Sequence, residues 1–462
     1  MCNKRPAGRA EKYKFVKWVA LALIIIAVPM LALWLRSNPK QAPWLWGCLT
    51  FLPFVIGPWN LDVSPYATPF WSGYVKGWEV SLLDSVALAV ILGTRGRWPK
   101  VVLLLPFLAY LLAVIISVIQ ARFPNYAIAY VIQLLRVGLV FLAIARVASA
   151  ERGERALLTG LVVGLTVQAG YALWYWAGGA LQTGGSLGHQ NLLGFVSHMV
   201  VFPAFALLLS GRWKKLAFVG LLAGAIAVTL TASRATIALA GLGLILTLLI
   251  SVALRFNGRK VAVGVFGLVL MIVSLPIAFS NLDRRFAVQK SDMSFFEPDD
   301  QRLAFNRAAL DMIAREPFGV GPNHYVFIAN TEGYSERAGV DWSTGNRSAN
   351  VHNAYLLITA ESGYFGALTF VVLLLAAIQY AFLTAIKYRR NATSDVLIGL
   401  GVAILIFSIH SFVESVAVLS PSQYLLAATL GLISGVRSRL EAERAKVTGS
   451  RRSNISDEAV GK

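Results

Sequence analysis

Thirteen apolar runs punctuate this chain, and eleven of them approach the ~20 residues that an α-helix needs to cross ~30 Å of hydrocarbon. These eleven lie at about 15–36, 101–119, 126–147, 156–177, 192–210, 214–232, 235–254, 261–280, 364–386, 395–414 and 421–437, while 44–57 and 80–93 are shorter. Lipid offers no hydrogen bonds to an open backbone, so segments of this kind cross as helices. With 57% hydrophobic and only 14% charged residues over 462 positions, and a mean hydropathy of +0.64, a membrane is the solvent that suits the chain. The fold class expected is an all-α integral membrane protein.

Charge sets the expected topology. The net charge is +19, a value that could suggest nucleic acid, but the basic residues are dispersed in short runs between apolar stretches. These runs are Lys4 to Lys17, Arg95 to Lys100, Arg146 to Arg155, Arg212 to Lys215, Arg255 to Lys260, Lys387 to Arg390, and the tail from Arg437. They read as cytoplasmic anchors under the positive-inside rule, and no basic surface with reading groups beside it points to a nucleic acid. A basic N-terminus and a basic tail on one side require an even number of crossings. The expectation is therefore about twelve transmembrane helices, with 80–93 crossing and 44–57 lying at the outer interface or dipping in and returning. The first run, Val19 to Leu35, is long and no A-x-A-like site closely follows it, so it reads as an uncleaved span. Cys2 and Cys48 are too few and too far apart for a CxxC site.

This walk divides the chain into N-terminal spans at 1–280, a large outer loop at 281–351, C-terminal spans at 352–438 and a cytoplasmic tail at 439–462. The loop holds eight Lys+Arg and ten Asp+Glu, a net charge of −2 that leaves +21 on the rest. Within it, Leu303, Leu310 and Ile313 recur at helical spacing after Asp299 and Asp300, and Pro317 with Gly319 ends the run. A connection this long is a binding or catalytic element by default.

Several residues could carry chemistry there. His352 ends the loop, and a neutral imidazole at the membrane boundary can take a proton from a hydroxyl nucleophile; the alternative is an interfacial histidine bonded to the loop backbone. A helical course would place His352, Tyr355 and Thr359 on one stripe, with Glu361 on the other side and suited to capping the following span. Arg234 sits in a tight outer turn, where a guanidinium suits a phosphate or pyrophosphate, or snorkels to lipid headgroups. Arg307, Asp311 and Arg315 neutralise one another along the loop helix, which leaves Arg302 as the loop cation for an anionic ligand. Arg136, near the middle of a span, needs a partner, for which Asp84 is available. The turn Gly184 to Asn191 could present backbone N–H groups with His189 and Asn191 to a sugar or phosphate, or be a simple connector. No Walker A motif, HExxH or paired-carboxylate pattern is present.

The block His352-Asn353-Ala354-Tyr355-Leu356 through Glu361-Ser362-Gly363 and Gly366 resembles the O-antigen ligase and O-antigen polymerase superfamily. So do Pro317-Phe318-Gly319-Val320-Gly321-Pro322-Asn323 and the Ser233-Arg234 turn. The resemblance implies a metal-independent, inverting glycosyltransferase without a cofactor, in the bacterial inner membrane with its large loop periplasmic. Its donor would be an undecaprenyl-pyrophosphate-linked glycan and its acceptor lipid A-core or a growing glycan, with membrane lipid around it. His352 would be the base and Arg234 a pyrophosphate ligand, with Arg302 a second cation. Arg136, His189, Asn191, Asn353, Tyr355 and Glu361 complete the candidate substrate-binding set. The chain departs from the pattern at 184–191, where relatives often carry an arginine and this sequence has His189. Ligation and polymerisation share the donor and are not separated by sequence. A lipid-linked oligosaccharide flippase or a transporter would be expected to show more polar or broken spans along a central path.

Overall fold

A computed structural model describes residues 7–265, 267, 272, 280 and 298–460. The chain is nearly all helical, and seven of the described helices are long and apolar enough to cross a membrane: Lys17–Ser37, Pro124–Ala148, Glu151–Ala177, Gln190–Ser210, Arg234–Leu254, Ala354–Lys387 and Thr393–His410. Shorter apolar helices at Leu82–Gly93 and Leu104–Gln120 join the same bundle. Most of the expected run 261–280, and the loop from 281 to 297, lie outside the described residues. Large apolar side chains such as Leu105, Ile119, Trp174, Leu249 and Leu375 face outward, while Gln133, Arg136, Glu154, Gln168 and Asp395 are buried. Apolar outside and polar inside is the arrangement of a protein solvated by lipid.

The bundle has two chemically distinct ends. At one, the basic runs meet: Arg146 donates to the carbonyls of Thr94 and Gly96, and Lys260 reaches Asp395 at 2.9 Å. There too, the fully buried carboxylate of Glu154 accepts from Arg212 at 2.8 Å and from Arg439 at 2.5 Å. The other end carries the turns at 121–126, 183–191 and 231–236, the described part of the long loop, and the connection 411–419. The described part of the long loop and these basic runs thus occupy opposite ends of the bundle.

Two expectations about the N-terminal region are corrected. Segment 42–59 does not lie along an interface. It runs beside Glu151–Ala177 from the basic end to the loop end, with Gly47 against Gly160, Thr50 Oγ1 donating to the Leu157 carbonyl at 2.7 Å, Gln168 donating to the Phe54 carbonyl and Trp59 meeting Tyr171. Glycine at 160 permits this approach, because a Cβ there would collide with the Gly47 backbone. The first helix, Ala7–Ser37, runs parallel to Leu82–Gly93. Ser85 donates to the Ile24 carbonyl, Arg36 to the Leu92 carbonyl and Lys17 to the Pro65 carbonyl. Lys17 therefore shares the loop end, opposite the basic C-terminal helix, and the parity argument from two like-sided termini does not describe this packing. Charge counting weighs lysines in a loop but not the helix contacts that fix direction.

The fold also contains a feature the apolar pattern hides. Asp62–Ala67 and Gly77–Ser81 pair as an antiparallel two-stranded hairpin, an exception to the all-α expectation. It lies at the loop end, and its second strand feeds Leu82–Gly93 through a capping box formed by Ser81 and Asp84.

Candidate active site

His352 lies just ahead of the helix Ala354–Lys387, not within it. The cause is Asn353, whose side-chain oxygen accepts from the N–H groups of Tyr355 and Leu356 at 3.0 and 3.1 Å and so fixes the helix start. Tyr355 donates its hydroxyl to the Ser408 carbonyl at 2.9 Å and packs on Phe412. The Ala354 N–H bonds the Ser411 carbonyl at 2.8 Å. These contacts lock the His352 segment onto the end of Thr393–His410. Asn353 and Tyr355, expected among the substrate-binding residues, spend their polar groups on that framework.

The same lock brings Glu414 to His352. Glu414 Oε2 lies 3.3 Å from His352 Nδ1, and its side chain is buried. Its other oxygen accepts from Asn191 Nδ2 at 2.5 Å and lies 3.4 Å from Arg302 Nη2. Asn191 belongs to Gln190–Ser210, whose N-cap is His189: its Nδ1 accepts from the Asn191 N–H at 3.2 Å. Desolvation pushes the His189 pKa down, Glu414 opposes that, and the imidazole of His352 adds to it. Arg302 comes from the loop helix Pro298–Arg315, which also sets the edge of Phe305 against the His352 ring, with centroids 5.8 Å apart. Three polar candidates from distant parts of the sequence, Asn191, Arg302 and His352, thus converge on one carboxylate, with His189 beside them.

Arg234 is exposed and is the first residue of Arg234–Leu254. Ser233 caps that helix by accepting from the Thr236 N–H. The turn is held against the segment that carries His189 and Asn191, because the Thr183 N–H bonds the Leu230 carbonyl at 3.0 Å and Gly194 packs directly on Thr236. Arg307, Asp311 and Arg315 sit on the loop helix as expected, with Arg315 paired to Asp311 at 2.9 Å, but Asp311 takes Arg337 as its second cation. The side chains of Asp299 and Asp300 lie outside the described residues.

Two further candidates are placed elsewhere by the structure. Arg136 is buried and bonds Asp84 at 2.9 Å, Ser81 at 3.0 Å and Glu79 at 3.4 Å, so the Asp84 partnership read from the sequence is present. Glu361 points away from His352, as its spacing implies, yet it does not cap the following span. Its carboxylate accepts from the Tyr325 N–H at 3.0 Å and from the Tyr74 hydroxyl at 2.6 Å, so it anchors the 317–325 turn to the bundle. Burial raises the Tyr74 phenol well above its usual range, and the adjacent Glu361 charge adds to this. Gly363, at φ 66°, breaks the helix here. The Val320 and Gly321 N–H groups then bond the Ala360 and Glu361 carbonyls, and Gly319 approaches so closely that a Cβ would strike the Glu361 carbonyl.

That turn ends in His324, which is buried between two backbone groups. Its Nδ1 faces the Pro322 carbonyl at 2.8 Å and its Nε2 accepts from the Phe123 N–H at 3.2 Å. Burial holds its pKa below the ordinary imidazole value, with the Pro322 carbonyl opposing. The fold thus favours neutral His324, whose stabilisation is complete above about pH 6.5 and is lost as pH falls through the lower folded value. Wild-type protein should lose thermal stability between about pH 7 and pH 5 more steeply than His324→Gln. Equal slopes for the two proteins would show that His324 does not carry the effect.

Sequence reasoning missed Glu414. The signal was available: it is the lone acidic residue between Asp395 and Glu441, at the C-terminal edge of the apolar run 395–414. Among the described residues, no three His, Cys, Asp or Glu side chains converge as metal ligands would.

No curated protein matches the chain. A family model described as O-antigen ligase (Wzy_C) matches residues 219–371, a stretch that includes Arg234, Arg302, His352 and Glu361. Over residues 219–371, a part of the chain well short of half its 462 residues, this protein is similar to the O-antigen ligase family.

Proposed function

We propose that the protein transfers a glycan from an undecaprenyl-pyrophosphate carrier to a sugar hydroxyl at the periplasmic face of the bacterial inner membrane, in the manner of an O-antigen ligase. The observation that carries this reading is the His352–Glu414 pair beside Arg302. With Nδ1 turned to a carboxylate, the imidazole keeps its proton there and presents the Nε2 lone pair outward, the tautomer a general base needs. The acceptor hydroxyl gives its proton to Nε2 as its oxygen forms the new bond to the anomeric carbon. The bond from that carbon to the phosphate oxygen breaks, and undecaprenyl pyrophosphate leaves with the electron pair. Attack opposite the leaving group inverts the anomeric centre. Arg302 and Arg234 supply permanent positive charge for the charge that develops on the diphosphate, and His189 stands where relatives often have a further arginine.

Polymerisation of lipid-linked repeat units uses the same donor and remains the second reading. A flippase or transporter is disfavoured because the buried ionic groups in the bundle, such as Arg136 with Asp84 and Lys260 with Asp395, are spent on one another.

The test is glycan transfer in vesicles with purified lipid-linked donor, offered lipid A-core in one arm and only further donor in the other. Transfer to lipid A-core supports ligation, chain growth on donor alone supports polymerisation, and neither product removes the proposal. In the same assay Arg234→Ala should raise the KM for donor about tenfold or more while the protein remains folded. An unchanged KM would leave Arg234 as an interfacial residue.

A further inference from the structure

Glu414 has more partners than a carboxylate that only orients an imidazole requires. Oε2 faces His352, while Oε1 is shared between Asn191 at 2.5 Å and Arg302 at 3.4 Å. The two partners on Oε1 differ in kind. Asn191 is held in the first turn of a bundle helix and makes the short bond. The Arg302 side chain is 47% exposed over a carboxylate that is 5% exposed, and its contact is the long one. Among the described residues, the titratable and charged groups facing His352 are Glu414 from the 411–419 connection, Arg302 from the loop helix, and His189 from the N-cap of Gln190–Ser210. Phe305 adds only an apolar ring edge.

We propose that Arg302 is an anion-released restraint on His352: in the empty site its guanidinium shares the charge of Glu414, and a diphosphate group draws it away, leaving that charge to the imidazole. This rests on His352 acting as the base and on a phosphate-bearing donor. A cation over the carboxylate weakens its pull on a proton of the neighbouring ring, and removing the cation restores that pull. The imidazole is then most basic when the group to be displaced is in place, and least basic when only water or a stray hydroxyl is present. Arg302 is on this account a positioning residue as well as a phosphate ligand.

The experiment follows the His352 imidazole directly, by NMR titration of the full chain in lipid nanodiscs with isotope-labelled histidine, assigned by comparison with His352→Gln. Inorganic pyrophosphate is the probe. In the wild-type protein pyrophosphate should raise the His352 midpoint by about one pH unit. Arg302→Ala without pyrophosphate should already show a comparable rise and respond little further, and Arg302→Lys should keep the wild-type midpoint. An Arg302→Ala midpoint equal to that of the wild type, or equal pyrophosphate shifts in both proteins, overturns the proposal. No glycan transfer is measured here, so a protein that shows these shifts but transfers no glycan would refute the proposed function and leave the restraint standing.

Discussion

Replacing His352 by alanine should lower glycan transfer by on the order of 10²–10⁴-fold, the range that a positioned general base contributes. Stability should change little, because the imidazole's one described hydrogen bond is with Glu414 and the helix start is fixed by Asn353 instead. The loss should fall on kcat more than on the donor KM, since the proton moves only in the transition state. Thermal melting in detergent together with initial rates in vesicles separates the two effects. A properly inserted His352→Ala protein that transfers at the wild-type rate would remove the base assignment, and with it the reason for Glu414 to lie where it does.

Arg136→Ala should have the opposite signature. The guanidinium is buried against Asp84 and Glu79, and its removal leaves the buried Asp84 carboxylate with Ser81 alone. Breaking one side of a buried ion pair costs about 3–5 kcal/mol, so the melting temperature should drop sharply and yield from membranes should fall. Whatever folded fraction remains should keep its donor KM. A stable Arg136→Ala protein with weakened donor binding would instead assign Arg136 a ligand role. Changing Arg136 and Asp84 together to apolar residues of similar volume should recover most of the lost stability.

The sequence made some features legible for clear physical reasons. Runs of ~20 apolar residues have one stable solution in lipid, so the helices could be read directly. The partner of Arg136 was legible because a charge in a span needs a counter-charge, and Asp84 was at hand. The loop helix was legible from the spacing of Leu303, Leu310 and Ile313, but it packs through Phe305, Met312 and Ile313 while Leu303 and Leu310 are exposed. Contacts between distant segments were not legible. Nothing in the spacing of His352 says that a carboxylate 62 residues later faces it, because two intervening helices must first pack. Asn353 and Tyr355 were read as ligands since polar residues beside a catalytic candidate attract that reading, and their bonds to Leu356 and, across 53 residues, to Ser408 were not legible. The direction of the first helix was misread because Lys4 to Lys17 were weighed as anchors, while the contacts of Ile24 with Ser85 and of Arg36 with Leu92 decide how that helix packs.

The separation between His352 and Glu414 bears on how the protein is made. His352 and Arg302 leave the ribosome before Ala354–Lys387 and Thr393–His410 have been synthesised, and Glu414 follows only after both. A nascent chain halted anywhere before that point has its imidazole and the arginines proposed to bind phosphate but not the carboxylate that faces Nδ1. Such a chain, stalled in the membrane among lipid-linked sugars, lacks the geometry to activate a hydroxyl. Competence arrives only after Thr393–His410 and the connection that follows it have been made, so quality control over their insertion is also control over when that geometry forms.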